Sequence, residues 1–87
     1  MTKIRRAAQV VEDLKSLGVI MEDDHVNSYL PEVNYDRGGI SIYFFLRSAN
    51  TLYKTKLIQY AFREEFSNDA NIIIANDSTV VVVTLNF

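Results

Sequence analysis

The sequence contains no cysteine and no tryptophan, and it has only one histidine and one proline. Without cysteine the chain can form no disulfide, thiolate metal site or thiol nucleophile, and this composition suits a reducing compartment. Stability must therefore come from packed side chains, and a hydrophobic fraction of 48% is sufficient for one dense core in a chain of 87 residues. We predict a single α+β domain spanning residues 1–87 that holds no metal and no cofactor.

Long hydrophobic runs are also missing. Tyr43–Leu46 and Val80–Val83 contain four residues each, whereas a membrane-spanning helix needs about 20. The basic start of the chain is followed by Ala7–Leu17, which contains polar and charged residues and therefore differs from the apolar core of a signal peptide. The formal net charge of -2 provides no general attraction to nucleic acid or to anionic membranes. We expect a soluble, cytoplasmic protein with no membrane partner.

Two segments have the apolar spacing of amphipathic helices. The first is Lys3–Leu17, with Thr2 as its N-cap and Gly18 as its left-handed end. The second is Thr51–Phe66, which Ser48 or Asn50 would cap. The buried stripe predicted for the first helix is Ile4, Ala7, Ala8, Val11, Leu14 and Leu17. The buried side predicted for the second helix is Tyr53, Leu57, Tyr60 and Ala61, flanked by Ile58 and Phe62.

Strand patterns fill most of the remaining chain. The predicted strands are Tyr29–Tyr35, Ile40–Arg47, Asn71–Ala75 and Ser78–Phe87. Pro31 cannot donate a ladder hydrogen bond and so indicates an edge strand. The polar segment Met21–Ser28 is predicted to be a loop, Asp36–Gly39 to be a hairpin loop, and Asn76–Asp77 to be a tight turn.

The resulting order of elements is α-β-β-α-β-β. Two amphipathic helices cover one face of a four-stranded antiparallel sheet. A strand order of 3-4-2-1 places the two strands that are apolar on both faces at the centre. This arrangement resembles a ferredoxin-like fold whose first strand has moved to the end. The resemblance is architectural and implies no particular function.

The second predicted strand has two different faces. Four apolar residues fit a face covered by the helices: Ile40, Ile42, Phe44 and Leu46. The opposite face then exposes Tyr43, Phe45 and Arg47, residue types that anchor protein interfaces and that stack or contact bases in RNA-binding sheets. A shift of one residue in register exchanges the two faces. The predicted partner-binding residues are Tyr29, Tyr35, Tyr43, Phe45 and Arg47.

Basic residues at the start of the first helix form a second candidate site. Lys3, Arg5 and Arg6 lie at the positive end of the helix dipole, where a phosphate or an acidic partner can bind. If the two helices lie side by side, basic residues of the second helix extend this patch: Lys54, Lys56 and Arg63. The alternative is a solvated basic face without a ligand.

The remaining polar groups offer little for catalysis. Adjacent residues of the segment Glu22–His25 cannot all point at one metal ion, so we predict a solvated acidic loop. His25 has no obvious serine partner, since Ser28 is too near in sequence, and no nucleophile elbow or phosphate-binding loop is present. We therefore predict that the protein is not an enzyme; a small enzyme would need a pocket around His25.

These features favour a small non-catalytic protein that binds a surface of a larger protein, as an adaptor or an inhibitor. Acidic domains of this size are common among phage accessory proteins that inhibit a host enzyme or defence system, although no motif here supports that comparison. The alternative is an RNA- or DNA-binding module that uses the aromatic sheet face and the basic helix start. A symmetric dimer is compatible with either function.

Overall fold

The computed structural model describes residues 2–29 and 39–86, and this part of the chain contains two α-helices and four strands. Helix α1 is Lys3–Ser16 and helix α2 is Thr51–Phe66. The strands are β1 (His25–Tyr29), β2 (Gly39–Phe45), β3 (Ala70–Ala75) and β4 (Val80–Asn86). A single 3₁₀ turn, Ser67–Asp69, joins α2 to β3.

The strands form one antiparallel sheet in the order β1-β2-β4-β3. Both helices pack on the same face of it, because one core cluster unites their buried residues with alternate residues of β2 and β4. The predicted fold of two helices on a four-stranded antiparallel sheet is therefore confirmed, including the central positions of β2 and β4. The likeness to a permuted ferredoxin-like fold stays a prediction.

The core lies between the helices and the sheet. Ile42 and Phe44 of β2 and Val83 of β4 are almost completely buried. Phe44 contacts Phe62 of α2 edge-to-face, with ring centroids 5.8 Å apart. Because truncating a buried phenylalanine to alanine costs about 3–5 kcal/mol, contacts of this kind account for much of the attachment of α2 to the sheet.

Local signals identified most helix ends and turns. The Thr2 hydroxyl accepts a hydrogen bond from the backbone of the first turn of α1, and Gly18 has a φ of 76° just after the helix. Asn76–Asp77 adopts the predicted positive φ in the turn between β3 and β4. The predicted side-chain cap of α2 is wrong: Asn50 occupies the N-cap position without a capping hydrogen bond, and the Ser48 hydroxyl donates elsewhere.

The first strand begins earlier in the chain than predicted. We expected a loop over Met21–Ser28 and a strand over Tyr29–Tyr35, whereas β1 pairs with β2 from His25↔Phe45 to Tyr29↔Ser41. Its polar sequence carries little strand signal; pairing with β2 and the packing of Val26 against the core decide its conformation. β1 is an edge strand, as predicted. Pro31, Tyr35 and residues 36–38 of the predicted hairpin loop lie outside the described residues.

The buried stripe of α1 is narrower than predicted and rotated. Val10 is buried, whereas Ile4 and Ala8 are exposed. Leu17 is 78% exposed because it is the C-cap, where the chain already turns away from the core. The stripe that packs on the sheet follows regular helical spacing and consists of Ala7, Val10, Val11 and Leu14.

The buried side of α2 also differs from the prediction. Tyr53 and Tyr60 are 64% and 67% exposed, while Ile58 and Phe62 are completely buried. The helix is rotated about its axis from the predicted orientation. As a result Lys54, which the sequence pattern assigns to the surface, lies on the buried side. A buried lysine needs a partner that compensates for the loss of water, and the Asp24 carboxylate, 3.1 Å from the Lys54 ammonium, is that partner.

Candidate functional sites

The sheet face that the helices leave uncovered is called the open face here. Strand pairing aligns its residues in rows across the sheet: Asn27, Tyr43, Val82 and Ile73; His25, Phe45, Val80 and Ala75; and Tyr29, Ser41, Thr84 and Asn71. The rings of Tyr43 and Phe45 are stacked, with centroids 6.3 Å apart and planes 12° from parallel. Both are half-buried, and Ile73 is 62% exposed. The centre of the open face is thus apolar and aromatic.

The described strands that form the open face carry no formal charge. None of the residues in the four described strands is aspartate, glutamate, lysine or arginine, although 23% of the chain is charged. On a surface in contact with water, charged side chains are the most common way to prevent unwanted association. Their depletion together with aromatic enrichment is typical of the buried centre of a protein interface.

The structure brings together only part of the predicted partner-binding set. Tyr43 and Phe45 are adjacent on the open face. Arg47 is exposed and follows the end of β2, where its backbone N–H donates to a carboxylate rather than to a strand. Tyr29 belongs to β1 and its row reaches the open face, but its side chain is outside what the structure describes. Tyr35 lies outside the described residues altogether.

A second exposed aromatic surface, called the outer face of α2 here, was missed by the sequence analysis. Leu52, Tyr53 and Tyr60 are 60–67% exposed on this helix, and Lys56 and Arg63 lie on the same side by helical spacing. The apolar periodicity assigned the two tyrosines to the core. One feature of the sequence argued against that assignment: the apolar residues around Ile58 and Phe62 also fit a buried stripe, which would leave the two tyrosines exposed.

The predicted basic patch is not assembled as a free binding site. The Lys3 ammonium donates to the Asn86 carbonyl oxygen at 2.6 Å and lies 3.7 Å from the Asp69 carboxylate. Lys54 is buried. Lys3 therefore ties α1 to the end of β4 instead of presenting its charge to a ligand.

Arg6 is also engaged within the protein. Its Nε donates to the Glu65 carboxylate at 2.7 Å, and its terminal nitrogen donates to the Glu65 carbonyl oxygen. The guanidinium carbon lies 4.8 Å from the centre of the Phe66 ring, so a cation–π contact joins the ion pair. Of the predicted anion-binding residues, Arg5, Lys56 and Arg63 are exposed, on two different helices.

A buried ion pair, which the sequence analysis did not predict, lies at one end of the sheet. Asp24 was expected to belong to a solvated acidic loop and Lys54 to an exposed basic patch, but their side chains are only 0% and 6% exposed. The Lys54 ammonium lies 3.1 Å from the Asp24 carboxylate and also contacts the Ser48 hydroxyl. Glu22 and Asp23, the other acids of the loop, are exposed as predicted.

Besides the Lys54 ammonium, two other parts of the chain donate hydrogen bonds to Asp24. The donors are the backbone N–H groups of Met21, Arg47 and Ser48, at 2.8–3.0 Å, and the Ser48 hydroxyl at 2.8 Å. Burial alone would raise the pKa of the Asp24 carboxyl, but these hydrogen bonds hold the pKa well below its usual range. The Asp24 cluster, defined as Asp24, Ser48 and Lys54, therefore fastens the loop after α1 to the end of β2 and the start of α2.

The Asp24 cluster is suited to structure rather than to catalysis. A serine beside a lysine is used for nucleophilic chemistry when the lysine can accept the serine proton. Here the Lys54 ammonium is ion-paired with Asp24, and the Ser48 hydroxyl is within hydrogen-bond distance of both carboxylate oxygens. The lysine and aspartate side chains are enclosed, so neither of these two groups is presented to a substrate.

The residues considered for catalysis or metal binding do not converge. His25 is exposed on the open face, while Ser28 belongs to the opposite face because residues alternate along β1. Within residues 2–29 and 39–86, no group of three or more histidine or acidic side chains is placed to hold a metal ion.

A groove of about 380 Å³ runs between α1 and the β1 side of the sheet. Its lining is mostly aliphatic and includes Ile4, Val11, Val26 and Ile42. Its charged lining residues, Glu12 and Lys15, form an ion pair at 3.6 Å, so the groove offers no grouping for chemistry.

Comparison with known proteins found no matching family model, no matching curated protein and no matching solved structure. Neither helix of the described chain has the length and apolar character needed to cross a membrane.

Proposed function

We propose that this protein is a small non-catalytic binding protein whose open face docks on a larger protein, so that it acts as an adaptor or an inhibitor. The observation that supports this proposal is the absence of any formal charge across the four strands, combined with the stacked pair Tyr43 and Phe45 at the centre of the open face. A cytoplasmic site of action is part of the proposal, because a cysteine-free chain suits a reducing compartment.

Exposure of the apolar open face to water is unfavourable in free energy. Covering apolar surface contributes roughly 25 cal/mol per Å², and aromatic residues at the centre of an interface are the usual hot spots. A partner can cover Tyr43, Phe45 and Val82 without removing a charged group of the four described strands from water, which limits the desolvation cost of buried ions. The partner's contacting surface should be apolar and should contain neutral hydrogen-bonding groups that match Ser41 and Thr84 at the rim.

The alternative function, nucleic-acid binding, has weaker support. Phosphate binding requires several lysine or arginine contacts, and the four described strands contain neither residue type. Lys3, Arg6 and Lys54, half of the predicted basic set, are already bound to Asp69, Glu65 and Asp24, respectively.

The test compares two matched double variants. Tyr43→Ala with Phe45→Ala removes both rings from the open face, and Tyr53→Ala with Tyr60→Ala removes two rings from the outer face of α2. Each tagged protein is first shown to be folded by thermal unfolding, and is then incubated with nuclease-treated lysate of the native host. Proteins retained by the wild type and by the α2 variant, but lost by the open-face variant, are identified, purified and titrated by calorimetry.

We expect the open-face variant to bind the purified partner at least about 30-fold more weakly, which corresponds to one hot spot of about 2 kcal/mol. Salt should change the affinity little. Equal binding by the open-face variant, or loss of binding only in the α2 variant, would show that the open face is not the site. Retention of nucleic acid from a parallel lysate that received no nuclease, with a steep salt dependence, would support the alternative function instead.

A further inference from the structure

The outer edge of β3 has the features of a strand that can accept another strand. Within the described residues β3 pairs with β4 alone, and it lies at the edge of the sheet. Its pairing runs without a bulge from Ala70↔Leu85 to Ala75↔Val80. Four of its six residues are exposed. Natural edge strands are usually protected by charged residues, proline or bulges, and β3 has none of these.

Exposed isoleucines lie on both sides of this edge. Ile73 is 62% exposed on the open face, and Ile74 is 40% exposed on the helix-facing side. A strand added at this edge would therefore cover apolar surface on both faces while satisfying the free backbone groups of β3. A partner that contacted the side chains of only one face would leave the other isoleucine exposed and the outer backbone groups of β3 without hydrogen bonds from that partner.

We propose that the occupant of this edge is a second copy of the chain, whose β3 pairs antiparallel with the first about a two-fold axis perpendicular to the sheet. Such an axis preserves the faces, so the central residue must lie opposite its own copy, with the axis midway between the two. Centred on Ile73, it pairs Ile73 with Ile73 of the second copy, Ile72 with Ile74 of the second copy, and Asn71 with Ala75 of the second copy. The strand reads nearly the same in both directions, so each isoleucine meets an isoleucine, and Asn71 meets the small residue Ala75.

Charge explains why the contact is confined to this strand. Each copy has a formal net charge of -2, which opposes association through most of the surface. β3 itself is uncharged, and the acids that flank it lie just outside the strand, where this register places Asp69 opposite Asp77 of the second copy. Asp69 is moreover 3.7 Å from the Lys3 ammonium. Added salt screens the remaining repulsion between the acids of the two copies, so it should leave the dimer unchanged or strengthen it.

The pairing produces one eight-stranded sheet in which the two open faces lie side by side on the same surface. A contact made by one strand edge falls below the about 1,200 Å² of standard interfaces and is therefore weak and concentration-dependent. The inference is independent of the proposed function, since partner binding can be measured at concentrations at which the protein is monomeric.

The test is sedimentation velocity of the whole chain from about 10 μM to about 1 mM, a range suited to a weak dimer. Three proteins are compared: the wild type, Ile73→Lys, and Tyr60→Lys as a matched control on α2. The two substituted side chains are almost equally exposed, at 62% and 67%, so both variants should remain folded. A fourth protein, Tyr43→Ala, reports on stacking of two open faces.

We expect the wild type, Tyr60→Lys and Tyr43→Ala to shift from monomer to dimer across the range, and Ile73→Lys to remain monomeric throughout. The wild-type dimer should persist or increase when NaCl is raised. A wild type that is monomeric at the highest concentration would overturn the proposal, as would a dimer that Ile73→Lys leaves intact. Loss of the dimer in Tyr43→Ala with retention in Ile73→Lys would assign the contact to the open faces instead.

Discussion

Replacing Lys54 with methionine removes an ammonium group from a site where the lysine side chain is 6% exposed, and it leaves the length of the side chain nearly unchanged. The Asp24 carboxylate, which is 0% exposed, then loses the cation that lies 3.1 Å away. It keeps the backbone donors of Met21, Arg47 and Ser48. The substitution therefore isolates the contribution of the charge pair from that of the backbone hydrogen bonds.

The expected loss of stability is large for a domain of this size. Breaking a buried ion pair by removing one partner costs about 3–5 kcal/mol. We expect a loss near the lower end of that range, because the remaining donors continue to stabilise the Asp24 carboxylate. A domain of this length has a total stability of roughly 4–13 kcal/mol. A loss of about 3 kcal/mol should lower the melting temperature by roughly 12–24 °C. Asp24→Asn should cost more than Lys54→Met, because three backbone N–H groups lose a charged acceptor.

The assay is urea denaturation at neutral pH, with Lys56→Met as the matched control. Lys56 is exposed two positions further along the same helix, so its substitution should change the free energy of unfolding by no more than about 0.5 kcal/mol. The Asp24→Asn and Lys54→Met double variant should lose less than the sum of the two single losses, since the two groups interact directly. If Lys54→Met is as stable as Lys56→Met, the ion pair does not stabilise the fold and the reasoning is refuted.

Two further predictions concern acid and the backbone. Because the pKa of Asp24 is held below its usual range, the unfolded chain binds a proton at this carboxyl more readily than the folded chain, so stability should fall as pH drops below about 3.9. In denaturation series from pH 5 to pH 2, about the range in which carboxylates titrate, Asp24→Asn should lose less stability than the wild type; parallel curves would contradict this. Gly39→Ala should destabilise the protein by about 1–3 kcal/mol, because a Cβ there would lie 2.6 Å from the Leu85 carbonyl oxygen. A Gly39→Ala variant that melts at or above the wild-type temperature would show that this contact relaxes freely.

The sequence predicted those parts of the fold that depend on local periodicity. The bounds of α2 match the predicted helix, Thr51–Phe66. Alternation along β2 also identified the buried face that contains Ile42 and Phe44. These features repeat every two to four residues, so a short stretch of chain is enough to reveal them.

The parts that could not be predicted depend on contacts between distant residues. Asp24 and Lys54 are 30 positions apart, and neither residue differs in type from the charged surface residues around it. The position of β1 depends on its pairing with β2 and on the packing of Val26 against the core, and neither is visible in the local sequence. The open face combines a predictable part and an unpredictable part. Alternation along β2 identified Tyr43 and Phe45, whereas the residues of β3 and β4 that lie beside them could be known only from the strand order.

The position of β4 in the sheet has a consequence for synthesis of the protein. β4 follows every other described strand in the chain, yet it lies between β2 and β3. Until residues 80–86 have left the ribosome, no strand pairing joins the β1–β2 ladder to β3. These earlier strands carry no charged residue, and uncharged strands of high β-propensity tend to aggregate. The complete sheet can therefore assemble only after β4 emerges. A chaperone that shields β1, β2 and β3 during that interval should raise the yield of folded protein.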